Sequence, residues 1–214
     1  MVGRQETVMA YLERFEPPDL PSGVGTLRSQ LEFGMLFHAR QAPPSPSTSR
    51  LLTMYMITTD KAAREYTAGC RRVKDHMDAG GSIQAFVEGV GRFENCINSA
   101  KRALRALGRL GTQQDGPVID RTIRKLAQSQ ATAITDLRNA IEHMDADIVT
   151  GAGISEGDPH LLTINKQGDY LEIGLHRISI IALQSVVMAL HSVGSAIIQA
   201  LPTLEAKTDA QPSL

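Results

Sequence analysis

Apolar residues recur every three or four positions through three long stretches of the chain, each bounded by helix-breaking residues. The first stretch covers about 50–78, with Leu51, Tyr55, Thr58, Ala62, Tyr66, Gly69, Val73 and Met77 on one side. Gly80-Gly81 ends it and Ser82 opens the second. There the stripe is Ile83, Val87, Val90, Ile97, Ala100, Leu104 and Leu107, with Phe86 and Phe93 beside it. Steps of three and four sustained over so many turns predict an amphipathic helix. A turn over 111–116 leads to Pro117, a residue suited to the first position of a helix. A third helix then carries Ile119, Ile123, Leu126, Ala133, Leu137, Ile141, Met144 and Ile148.

Gly151-Ala152-Gly153 stops the third helix, and the period changes from three-and-four to two. Leu161-Leu162-Thr163-Ile164-Asn165 and Tyr170-Leu171-Glu172-Ile173 read as a β-hairpin. If Lys166 faces Asp169, Ile164 pairs with Leu171 and Leu162 with Ile173. Thr163, Asn165, Tyr170 and Glu172 then share the other face, so one register satisfies both sides of the ribbon. A fourth helix over 178–201 is apolar nearly all round and carries no Asp, Glu, Lys or Arg. Gln184, Ser185, His191, Ser192, Ser195 and Gln199 interrupt it, which favours a central helix of a bundle over a membrane span.

The expected fold is therefore mainly α: a bundle of four long helices with a single β-hairpin between the third and fourth. Residues 1–48 form an irregular segment with a short helix over about 5–15, broken by Pro17, Pro18 and Pro21. Residues 27–38 are compatible with an extended or a helical conformation, and Pro43-Pro44-Ser45-Pro46-Ser47 is a linker by composition. Thr48 or Ser49 supplies the N-cap of the first long helix. The helical domain spans 49–201, and 202–214 reads as a disordered tail.

Composition narrows the chemistry. The chain has 214 residues, no Trp and 4% aromatics, so its core must be built from aliphatic residues, Met and Ala. Cys70 and Cys96 have no partner spacing and read as buried thiols, in keeping with a reducing cytoplasm. No apolar run near Met1 serves as a signal peptide. A net charge of −1 hides a basic zone between residues 101 and 129. Lys101, Arg102, Arg105, Arg109, Arg121, Arg124 and Lys125 stand there against Asp115 and Asp120 alone. Such a zone attracts polyanions such as RNA, or is simply a pair of solvated helix faces. No Gly-rich phosphate loop follows a strand, and no His-x-x-x-His or Glu-x-x-His pattern supports a metal site. No cofactor is expected.

One octet concentrates the candidate chemistry: Asp136-Leu137-Arg138-Asn139-Ala140-Ile141-Glu142-His143. On a wheel of about 100° per residue, Ile134, Leu137, Ile141 and Ile148 form the buried stripe and Arg138 lies on its shoulder. Glu142 follows one turn later, placed to orient Arg138 as an i, i+4 pair. Asn139 and His143 share a face roughly opposite the stripe. Histidine titrates near neutrality and arginine holds phosphate through a planar fork, so the octet can bind a phosphate and move a proton. Decorative i, i+4 pairs on a solvated helix have the same appearance.

Arg138-Asn139-Ala140-Ile141-Glu142-His143 resembles the Arg-(four to six residues)-His signature of the HEPN superfamily, including the polar residue that often follows the arginine. The likeness covers the octet and, more loosely, residues 50–201. It implies a helical bundle, in many members a metal-independent ribonuclease or toxin, whose motifs meet across a homodimer interface. It also implies RNA as substrate and a stress or phage-defence setting with a cognate antitoxin. Carried over, His143 takes the proton of a ribose 2′-hydroxyl or returns one to the leaving 5′-oxygen. Arg138 holds the non-bridging oxygens, Asn139 orients phosphate or imidazole, and a 2′,3′-cyclic phosphate is left. Asp145 stands where members silenced by adenylylation carry a tyrosine, so that control is not implied. Asp145 and Asp147 are expected to raise the pKa of His143 and to repel RNA. The alternative is a non-catalytic dimeric interaction or nucleotide-binding module that keeps the motif for contacts.

Overall fold

The computed structural model describes residues 12–37, 45–78, 80–117, 121–150 and 159–200. Helices α1 (Leu27–Phe37), α2 (Pro46–Asp78), α3 (Ile83–Leu110), α4 (Arg121–Gln128) and α5 (Ala131–Thr150) come first. Strands β1 (Thr163–Ile164), β2 (Tyr170–Ile173) and β3 (His176–Ser179) follow, and α6 (Ile180–Ala200) closes the series. The protein is mainly helical, with one small antiparallel sheet between α5 and α6.

The α2–α3 hairpin is the spine. Gly80 and Gly81 have φ of 68° and 95°, a left-handed turn that side chains resist, and the Gly81 N–H closes on His76 O at 2.9 Å. Ser82 Oγ then accepts from Ala85 N and caps α3. Gly89 lies against Val73 and Gly69 against Phe93, so the two helices approach closely and run antiparallel. That approach decides which side of α3 is buried. Ala85, Gly89, Phe93, Cys96 and Ile97 face inward, whereas Ile83 and Val87, expected in the stripe, are 53% and 61% exposed.

The long helix α2 begins at Pro46, before the expected Thr48 or Ser49 cap. Pro46 has no N–H to lose at the first helical position, and Ser45 Oγ accepts from Thr48 N. Asp115, from the segment after α3, accepts from Ser45 N at 2.6 Å and from Thr48 Oγ1 at 2.5 Å. Together these hydrogen bonds hold its carboxyl at about 2.

Residues 27–37 resolve as helix for a reason that lies far away in sequence. Buried Asp60 of α2 accepts from the backbone N–H groups of Leu27 and Arg28 at 2.9 and 2.8 Å, capping α1 from outside. Leu27 and Leu31 join the core together with Leu12 and Phe15. The short helix expected over 5–15 falls mostly outside the described residues, and its last residues, 12–15, are not helical.

The third expected helix is two helices. A turn at Ser129-Gln130 separates α4 from α5, so that α4 packs on α6 while α5 packs on α3 and the sheet. The first half of its expected stripe at Ile119 lies outside the described residues. The sheet has three strands where two were expected. Its first pair keeps the anticipated register, Ile164 opposite Leu171 and Thr163 opposite Glu172. Strand β3 adds His176 opposite Ile173 and Ile178 opposite Leu171. Helix α6 starts at Ile180, and Leu183, Val186, Val187, Leu190, Val193 and Ile197 enter the core. Tyr55 Oη donates to Leu190 O at 2.6 Å. Among the described residues α6 alone has the length and apolarity of a membrane span, and half of its most apolar window is buried against the rest of the chain.

Candidate nucleic-acid interface

Helix α5 presents the octet. Ile134 and Leu137 are fully buried and pin its inner face, which leaves the opposite side outward. Asn139 and His143 are exposed on that side, one turn apart. Arg138 is about a third exposed, and its Nη1 forms an ion pair with Glu142 Oε2. The guanidinium is thus partly neutralised within its own helix. Arg138 and His143, five residues apart, project about 140° from one another around the axis. One copy of the helix does not converge both groups on a single phosphate. Asp145 and Asp147 belong to α5, but their side chains lie outside the described residues, as does that of Ile148.

Helix α5 lies antiparallel to α3. Lys101 Nζ donates to Thr135 Oγ1, which in turn donates to Ala131 O at 2.5 Å. One turn later on α3, Leu104 and Arg105 face the beginning of α5. With Lys101, Gln128 and Ala131 they line an open cleft of about 450 Å³. Lys101 and Arg105 sit i, i+4 on one face of α3, and Leu104 and Ala131 give the cleft apolar walls. Ala131 and Thr135 share the side of α5 that carries Arg138 and Glu142, so the cleft continues toward the octet along one helix face.

The basic zone does not act as one patch. Lys101 and Arg105 line the cleft, while Arg102, Arg109, Arg121 and Lys125 are exposed on α3 and α4. Arg124 has a structural role: its guanidinium packs on Gly111, where a Cβ would lie 2.8 Å from Nη1. A cation there complements the carbonyl end of α3. None of the seven forms an ion pair with a described carboxylate. Sequence reasoning named the cations but not Gln128, Ala131 or Thr135. The only signal for them was the Ser129-Gln130 break that separates α4 from α5.

Other polar groups serve the fold. Cys70 and Cys96 are buried, and desolvation pushes the Cys70 thiol up to about 12 and that of Cys96 higher still. Burial lowers the pKa of His191, which lies near Asp60 and the Gly23 carbonyl; its Nε2 is buried with no hydrogen-bond partner among the described residues. Among the described residues no group of three or more His, Cys, Asp or Glu is placed to hold a metal ion. Compared with known proteins, the chain matches no protein-family model, no curated protein and no solved structure.

Proposed function

We propose that the protein is a HEPN-like, RNA-binding helical bundle whose endoribonuclease centre is completed by a second copy of the chain. The observation that carries this reading is the outward pair Asn139 and His143 on the helix whose other end is hydrogen-bonded to Lys101 of the cationic α3 face. Because Arg138 and His143 diverge on one helix, the phosphate is held by Arg138 of one copy and faced by His143 of the other. The ribose 2′-oxygen forms the new bond to phosphorus and its proton passes to imidazole. The bond to the 5′-oxygen breaks, and that oxygen takes a proton in turn, leaving a 2′,3′-cyclic phosphate. Phosphate displaces Glu142 from Arg138 as it binds, a modest cost for a partly exposed pair.

The test is cleavage of single-stranded RNA by wild type and by His143→Ala, scored as cyclic-phosphate ends. Loss in the variant supports the reading, and equal cleavage removes it. One observation favours a second reading. Arg138 already has an intrahelical partner in Glu142, as expected of a non-catalytic dimeric interaction module. On that reading, wild type yields no cyclic ends, while Arg138→Ala and His143→Ala weaken self-association.

A further inference from the structure

The cleft between α3 and the α4–α5 turn has no role in the chemistry just described, and its lining is chemically mixed. Two cations stand on one side, Lys101 Nζ and the Arg105 guanidinium, one turn apart. Lys101 spends one N–H on Thr135 Oγ1 and keeps two. Arg105 is exposed and has no ion pair with a described carboxylate. Leu104 and Ala131 add apolar lining, and Gln128 brings an amide that both donates and accepts. The volume of about 450 Å³ is within the range of small-molecule sites.

We infer that this cleft is a subsite for one nucleotide of a single RNA strand. Its phosphate rests between Lys101 and Arg105, its base lies against Leu104 and Ala131, and the Gln128 amide reads the base edge. This rests on the RNA reading above for the source of the nucleotide; the chemistry recognised is a nucleoside monophosphate unit, whether in a strand or free. The subsite also fixes a register. Ala131 and His143 are twelve residues apart on one helix, which places the cleft about 18 Å along the axis from the imidazole. A strand seated in the cleft and following that side of α5 therefore reaches Arg138 about 10 Å along the axis, whereas His143 projects about 120° away from the cleft.

The experiment measures binding by the full chain to a short fluorescent oligouridylate, to uridine monophosphate and to inorganic phosphate. Three variants are compared with wild type. Lys101→Gln/Arg105→Gln removes the cations. Ala131→Leu fills the cleft and keeps every charge. Arg64→Gln/Arg71→Gln removes two exposed cations from α2 and controls for net charge. The oligouridylate is expected to bind about tenfold more weakly to each cleft variant. The double cleft variant lowers the salt slope by about 1.4, which is 0.7 for each cation on a single strand. The α2 control changes affinity less than twofold. Tight, cleft-dependent binding of the monophosphate alone keeps the site and assigns it to free nucleotide. Equal binding by wild type and both cleft variants overturns the subsite, as does an equal loss in the α2 control. Binding of inorganic phosphate as tightly as the nucleotide overturns the base seat. None of these outcomes decides whether His143→Ala abolishes cyclic-phosphate ends, so failure of the subsite and failure of the octet mechanism are read separately.

Discussion

Lys101 on α3 donates a hydrogen bond to Thr135 on α5. Through that contact two features thirty-odd residues apart in the chain, the cationic face of α3 and the Arg138–His143 octet, become parts of one surface. The relationship orders the surface as well as joining it: cations and cleft at the start of α5, the Arg138–Glu142 pair in its middle, and the exposed histidine beyond.

Glu142 sets how available Arg138 is. The pair is partly exposed and screened by solvent, so its worth lies between about 0 and 1 kcal/mol. Glu142→Gln is expected to leave the melting temperature nearly unchanged and to raise affinity for single-stranded RNA by up to about fivefold at low salt. Titration of labelled RNA with both proteins checks this. A loss of affinity would mean that the carboxylate positions the guanidinium instead of competing for it.

Close packing makes opposite predictions for two glycines in helices. A Cβ at Gly194 of α6 would lie 2.4 Å from Leu27 Cδ1 and 3.2 Å from Met56 Sδ, both in the core. Gly194→Ala is expected to destabilise the fold by about 1–3 kcal/mol through overpacking. At Gly91 of α3 a Cβ meets nothing within 4 Å. Gly91→Ala therefore gains helix propensity, about 0.5–1 kcal/mol. Urea denaturation of both variants measures the contrast.

Asp115 links folding to acid. Its carboxyl titrates at about 2 in the folded chain because Thr48 Oγ1 and Ser45 N donate to it, against an ordinary value of 3.8. The folded-state value lies below the unfolded one. The contribution to stability is therefore complete above about pH 4 and is lost as pH falls toward 2. Asp115→Asn should flatten the melting temperature against pH within that window and lower it above the window.

His191 acts in a different range. Burial lowers its pKa from 6.5, so the unfolded chain takes up the proton first as pH falls. Stability contributed by the neutral ring is complete above about pH 6.5 and declines below it. His191→Leu should reduce the decline below about pH 6.5, read from denaturation midpoints at each pH.

What could be read before folding was whatever depended on local period. The register of Ile164 with Leu171 follows from alternation, and the outward direction of Asn139 and His143 follows from the buried stripe of Ile134 and Leu137. Features set by distant partners were hidden. Helix α1 takes its cap from Asp60, more than thirty residues away, so its own sequence leaves helix and strand equally open. Strand β3 turns only Ile178 inward and runs straight into α6, so its residues read as the start of that helix. The Ser129-Gln130 turn interrupts a hydrophobic period that continues across it, and without that turn there is no cleft. Ile83 and Val87 have helical spacing, but the approach of Gly89 to Val73 rolls them outward.

On the proposed reading, Arg138 of one copy and His143 of another serve the same phosphate. Complementation tests it most directly: Arg138→Ala and His143→Ala are prepared separately, mixed under conditions that allow subunit exchange, and assayed for 2′,3′-cyclic phosphate ends. In a two-fold dimer a mixed pair keeps one complete site of two, so two inactive proteins are expected to regain about a quarter of wild-type cleavage. A mixture no more active than its separate components would contradict it.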